Sequence, residues 1–219
     1  MNKLRALTIS GLRSAGFTMI ELLIVISILG ILAVAVLSAI NPVEQINRGR
    51  DTGTRSDAEQ LLSAIDRFNA FQGYFPWQED ANSTNLGIDD GSAAPLLIDA
   101  TNPKDDDVVK DCYVLDKLSD GTTFSSTAGC VSSDELKSSF VDRIVNSDGA
   151  RDMYIYNQGT SGNSTYVCFA PQSKAFFAEA EKRCEDAAGA GLPSDLSVAA
   201  KAFLCSGYGT GVDVYSCLP

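Results

Sequence analysis

Residues 17–40 read FTMIELLIVISILGILAVAVLSAI, an apolar run that holds a single charge, Glu21, and no proline. As a helix rising ~1.5 Å per residue it reaches ~36 Å, enough to cross a hydrocarbon core of ~30 Å. The residues before it, MNKLRALTISGLRSAG, carry Lys3, Arg5 and Arg13 and no acid. A basic flank on that side keeps residues 1–16 in the cytoplasm and places the rest of the chain outside. Three readings compete for the run. A secretory signal has an apolar stretch of only ~7–15 residues followed by its cleavage site, whereas the small residues Ala33-Val34-Ala35 lie inside this one. A plain anchor suits the length but leaves Glu21 without a purpose, because an ionised side chain at bilayer depth costs roughly 2.5–3.5 kcal/mol. A cut between Gly16 and Phe17 supplies that purpose. It creates an ammonium on Phe17, four residues ahead of Glu21 on the same helix face. Carboxylate and amine then neutralise each other, within one chain or between neighbours.

Composition narrows the function from the other side. The chain has 219 residues, 28 acidic and 17 basic, and no histidine, for a formal charge of −11. Without histidine there is no Ser-His-Asp or Cys-His catalysis, and most transition-metal sites are excluded. Serine-rich stretches such as Ser125-Ser126-Thr127 lack a base beside them. No catalytic constellation is present, and the chain reads as a non-enzyme. The acid excess also argues against nucleic acid as a partner, since phosphate binding needs a dense Lys/Arg footprint.

The stretch Ser14-Ala15-Gly16-Phe17-Thr18-Met19-Ile20-Glu21-Leu22-Leu23 resembles the processing site of type IV prepilins and type II secretion pseudopilins. The resemblance implies that a membrane peptidase cuts after Gly16 and that Phe17 is N-methylated. It further implies that Glu21 pairs with the N-terminus of a neighbouring subunit during assembly. The implied partners are other copies of the chain and related pilins, the prepilin peptidase, an inner-membrane assembly platform, and lipid before assembly. The implied fold is α+β: a long bent N-terminal helix packed on a small antiparallel sheet with disulfide-closed loops. The implied product is a type IV pilus-like filament of a single-pass membrane protein whose head lies outside the cytoplasm. A type II secretion pseudopilin is the alternative within that class. From another class, a membrane-anchored binding ectodomain that never polymerises also fits the anchor.

The rest of the chain divides accordingly into a leader (1–16), a transmembrane and assembly helix (17–40), its amphipathic continuation (41–72) and a globular head (73–219). Asn41-Pro42 marks a kink or local break, because proline lacks a donor and restricts the residue before it. Beyond it Ala58, Leu61, Leu62, Ile65 and Phe68 recur at helical spacing, with Arg55, Asp57, Glu59, Asp66 and Arg67 expected on the other face. Gly73 followed by Pro76 ends the helix. Phe71-Gln72-Gly73-Tyr74-Phe75-Pro76 resembles the Gly-x-Tyr-Pro turn of pilins with an extra aromatic residue, and residues 41–46 resemble the segment after their membrane helix.

In the head, residues 80–107 read as mostly loop. Cys112-Tyr113-Val114-Leu115 reads as a strand, and residues 134–145 as a short helix with Leu136, Phe140, Val141 and Ile144 inward. Residues 153–156 and 165–169 form a hairpin, 174–188 have helical composition, 187–193 form a flexible connection, and 212–215 make a final edge strand. Six cysteines, Cys112, Cys130, Cys168, Cys184, Cys205 and Cys217, fall on the oxidising side of the membrane and are disulfide candidates. Fifteen pairings are possible. Sequence neighbours are the default: 112–130, 168–184 and 205–217. No cofactor is required. Calcium is conceivable at Asp105-Asp106-Asp107 with Asp111, or at Asp89-Asp90-Gly91, although neither has EF-hand spacing. Asn82-Ser83-Thr84 and Asn163-Ser164-Thr165 match the glycosylation sequon, and Phe68, Phe71, Tyr74, Phe75 and Trp77 read as core and turn packing.

Overall fold

The computed structural model describes residues 16–83, 87–89, 95–98, 112–120, 130–145, 151–160, 162–185, 189–209 and 214–219. The chain forms two compact units, one ending at Pro42 and one running from Val43 to Pro219.

The first unit contains helix α1, Met19–Ala39. Thr18 caps it, its hydroxyl accepting the Glu21 N–H at 3.3 Å. This satisfies one of the donors that every helix start leaves without a partner. The helix stops where Ile40 turns extended, at φ −103° and ψ 131°. Asn41 precedes a proline and resists the helical region, while Pro42 opens α2, Pro42–Gln72, in the first-turn position that tolerates it. The expected bent helix is therefore two helices separated by a break of two residues.

From Val43 onward α2 belongs to the second unit. Ala58, Leu61, Ala64, Ile65 and Phe68 are fully buried, and Leu62 packs at the margin of the same cluster. Gly73 ends the helix at φ +80°, its N–H donating to Asn69 O at 2.9 Å, a conformation that glycine adopts without steric cost. Asp57 departs from its expected position on the solvated face and is buried. Arg143 reaches its carboxylate at 2.6 Å and Arg151 at 3.7 Å, which offsets the cost of taking the charge out of water.

Four short strands, β1 (Leu96–Ile98), β2 (Met153–Tyr156), β3 (Tyr166–Phe169) and β4 (Ser216–Leu218), pair antiparallel in sequence order. Alternation along them divides the sheet into two faces. Met153, Ile155, Val167 and Phe169 join the cluster of α2 and of α4, Ser138–Val145. Tyr154, Tyr156, Tyr166 and Cys168 join a second cluster with α5, Lys174–Cys184, and α6, Val198–Leu204. The head is thus a sheet covered on both sides, within the expected α+β class. The β2–β3 hairpin and the inward residues Leu136, Phe140, Val141 and Ile144 stand as read from the sequence.

Other readings are corrected. Residues 112–115 do not form a strand: a helical turn, α3, runs Val114–Leu118, and its apolar side chains enter the core by helical rather than alternating spacing. The 80–107 stretch, read as mostly loop, also holds the three-residue β1, whose register opposite β2 supplies the ladder that so short an apolar run needs. The last strand lies at Ser216–Leu218 rather than 212–215, of which 212 and 213 are outside the described residues. Phe68 meets Tyr74 edge-on at 5.5 Å and Phe75 stacks on Trp77 at 4.6 Å, as expected of turn packing, but Phe71 faces solvent.

Two of the default disulfides are also wrong. Cys112–Cys130 forms, but the others are Cys168–Cys217 and Cys184–Cys205. The β3–β4 ladder places Cys168 directly opposite Cys217, and α5 and α6 bring Cys184 to Cys205 on the same face of the sheet. Tertiary pairing overrides nearness in sequence.

Candidate assembly site at the N-terminus

Gly16, Phe17 and Thr18 lead into α1 in non-helical conformation, and Phe17 is 80% exposed. Glu21 stands in the first turn, where a carboxylate is favoured by the positive end of the helix dipole. The other polar side chains of this segment are satisfied locally. Thr18 caps the helix, Ser27 Oγ donates to Leu23 O at 2.7 Å, and Ser38 Oγ donates to Ala35 O at 2.8 Å. Glu21 has no side-chain partner among the described residues. None of the residues of α1 is buried, so the helix presents apolar surface on every side and one carboxylate near its start.

Such a surface is stable in lipid or against other apolar helices, and it is long enough to cross a membrane. In either setting the carboxylate favours a nearby cation strongly: two unit charges 4 Å apart attract by ~4 kcal/mol at an effective dielectric of ~20. Phe17 and Glu21, four residues apart, are the groups that the processing reading brings together, and α1 holds Glu21 at the end of the helix nearest Phe17.

Residues 11–37 match the family model described as the prokaryotic N-terminal methylation motif. That motif is the signature of type IV pilins and pseudopilins, and the matched span includes Gly16, Phe17 and Glu21. No curated protein and no solved structure matches the chain. The N-terminus thus carries a pilin-type methylation motif, and the apolar helix behind it fits a membrane-anchored chain.

The head contributes polar sites that the sequence reading missed. Asp51, on α2 and buried to 2% exposure, accepts from Gln172 N (2.9 Å), Ser173 N (2.7 Å) and Ser173 Oγ (2.5 Å). Ser173 in turn caps α5 through Phe176 N–H. Glu44 accepts from Lys174 N at 3.2 Å, and Asn47 donates to Gln172 O at 3.4 Å. The spacing 44, 47, 51 sets these side chains on one stripe of α2, which meets the start of α5 through hydrogen bonds. A carboxylate at a helix start also complements the dipole there.

A second polar pair locks β3 to the segment before α6. Tyr166 Oη donates to Asp195 at 2.6 Å, and Ser164 N–H donates to the other carboxylate oxygen at 3.1 Å. Burial, and then the Asp195 carboxylate, push the Tyr166 phenol up to about 12. Burial works to raise Asp195, but the hydrogen bonds from Tyr166 and Ser164 outweigh it and hold the carboxyl below its usual range.

Among the described residues no three His, Cys, Asp or Glu side chains gather as a metal set. Asp105, Asp106, Asp107 and Asp111 lie outside those residues, as do Asp90, Gly91 and Thr84. Asn163 is engaged through its amide with Gln158 at 3.0 Å and Thr160 at 3.1 Å.

Proposed function

We propose that this protein is the precursor of a filament subunit, cut after Gly16, N-methylated on Phe17 and polymerised into a type IV pilus-like fibre. In this reading residues 17–40 wait in the membrane with the head outside the cytoplasm. Bundling of many such helices then buries their apolar faces against one another. Each Glu21 meets the ammonium of a neighbouring Phe17 where the dielectric is low, so only axial offsets that join opposite charges are favoured. The heads coat the fibre and present their loops outward. The observation that carries the reading is a methylation motif set on a helix whose lone unpartnered polar side chain is Glu21.

Intact-mass measurement of the protein from sheared surface fibres tests the processing. The expected N-terminus is Phe17 with one added methyl group. A mature chain that keeps residues 1–16, or one that is cut near Ala35, overturns the proposal. Glu21→Ala tests the charge register. Membrane insertion at the normal level with loss of fibres is expected, and fibres in unchanged yield refute the pairing.

A further inference from the structure

On the α5–α6 side of the sheet, Tyr166, Leu192, Pro193, Leu196 and Tyr215 wall a cavity of about 350 Å³, with Arg183 beside them. An apolar cavity of ~150 Å³ already accommodates benzene. The polar groups of the wall are engaged with their own chain. Tyr166 donates to Asp195 at 2.6 Å, and Arg183 donates to Glu179 at 2.6 Å and to Cys217 O at 3.2 Å. What remains for an occupant is mostly carbon. An uncharged ring therefore suits the cavity better than an ion, which would have to break these pairs.

A ring of that kind stands elsewhere on the same head. Phe71, in the last turn of α2, is 79% exposed, although Phe68 one turn earlier is fully buried. Leaving a phenylalanine in water forgoes roughly 1.5–3 kcal/mol of burial. Phe68 and the Gly73 turn fix the end of α2, so the exposed ring sits on a rigid mount. The α2 helix covers one face of the sheet and the cavity opens on the other, so knob and hole belong to different surfaces.

We propose that Phe71 of one copy seats in this cavity of the next copy, a contact that rests on the polymerisation proposed above and adds a head-to-head register to it. Because the two surfaces differ, the contact is heterologous and repeats along a line when its rotation does not close a ring. One aromatic side chain buries ~150–250 Å², far below the ~1,200 Å² of a stable standalone interface. It therefore does not join two heads by itself. It sets their spacing where the apolar helices already hold the copies together.

The test places p-benzoylphenylalanine at position 71 of the full chain in fibre-producing cells, with irradiation and peptide mapping of the cross-linked product. The expected link joins position 71 of one copy to residues 189–196 or 214–219 of another. Pro193→Glu, a change at an exposed position of the rim, lowers that link at least tenfold. A parallel series asks for fibre yield: Phe71→Leu keeps it, and Phe71→Ser lowers it at least tenfold. Fibres of normal yield in both variants, a link to any other segment, or capture of a different molecule in the cavity overturns this contact and leaves the proposed function intact. If the unaltered chain makes no fibres, both proposals fall together.

Discussion

Replacing Asp51 by alanine probes how α2 is fastened to the start of α5. The carboxylate accepts three hydrogen bonds, two of them from Ser173, which is fully buried. Truncation leaves the Ser173 N–H and hydroxyl without their acceptor in a place that water does not reach. A buried donor left unsatisfied costs ~1–3 kcal/mol, so two such donors, with a smaller loss at the part-buried Gln172 N–H, bring the expected destabilisation to about 3–5 kcal/mol. For a chain of this size 1 kcal/mol shifts Tm by ~2–4 °C, which predicts a fall of roughly 10 °C. Asp51→Asn keeps one acceptor oxygen and loses the charge, so it should fall between alanine and the unaltered protein. Thermal and urea unfolding of the detergent-solubilised protein, followed by circular dichroism, reads the effect. A loss below ~1 kcal/mol for the alanine variant would refute the idea that this junction depends on hydrogen bonds to one buried carboxylate.

Two further predictions follow from the head. Removing Cys168–Cys217, which closes a loop with a sequence separation of 49, should cost about 4 kcal/mol in the chain-entropy model, against about 3 kcal/mol for Cys184–Cys205 with a separation of 21; paired Cys→Ala variants compared by urea midpoint check the order. The Tyr166 phenol keeps its proton up to about 12 in the native state, while the unfolded chain releases it near its ordinary value of 10.0. Its contribution is therefore complete below pH 10 and is lost as pH rises to 12. Tyr166→Phe should flatten the urea midpoint against pH across that window, and an unchanged slope counts against the pair.

The parts legible in the sequence are those fixed by local pattern. The apolar run of α1, the Asn41-Pro42 interruption, the spacing of Ala58, Leu61, Ile65 and Phe68, and the Gly73 stop each declare themselves within a few turns of helix. The β2–β3 hairpin is legible because β-branched and aromatic residues flank a turn-rich connection. What stayed hidden depends on distant parts of the chain. Three-residue strands such as β1 exist only because a partner strand completes them, and α6 carries too few residues to show a period. Asp51 and Asp57 look like solvated helix charges until Ser173 and the arginines arrive from other elements. The Cys168–Cys217 pairing follows the β3–β4 register, which no spacing of cysteines encodes. At the N-terminus the methylation motif over residues 11–37 was legible because its residues lie together in one short stretch.

The bond between Cys168 and Cys217 rivets the terminal strand to its neighbour at directly opposed positions. In the proposed fibre the heads would be crowded at a concentration where a loose edge strand could trade places with that of an adjacent copy. A covalent rung across the ladder forbids this exchange without adding bulk. In the proposed polymer each head would then pack against others while keeping its own strand, and growth would proceed by docking finished parts rather than by tangling them.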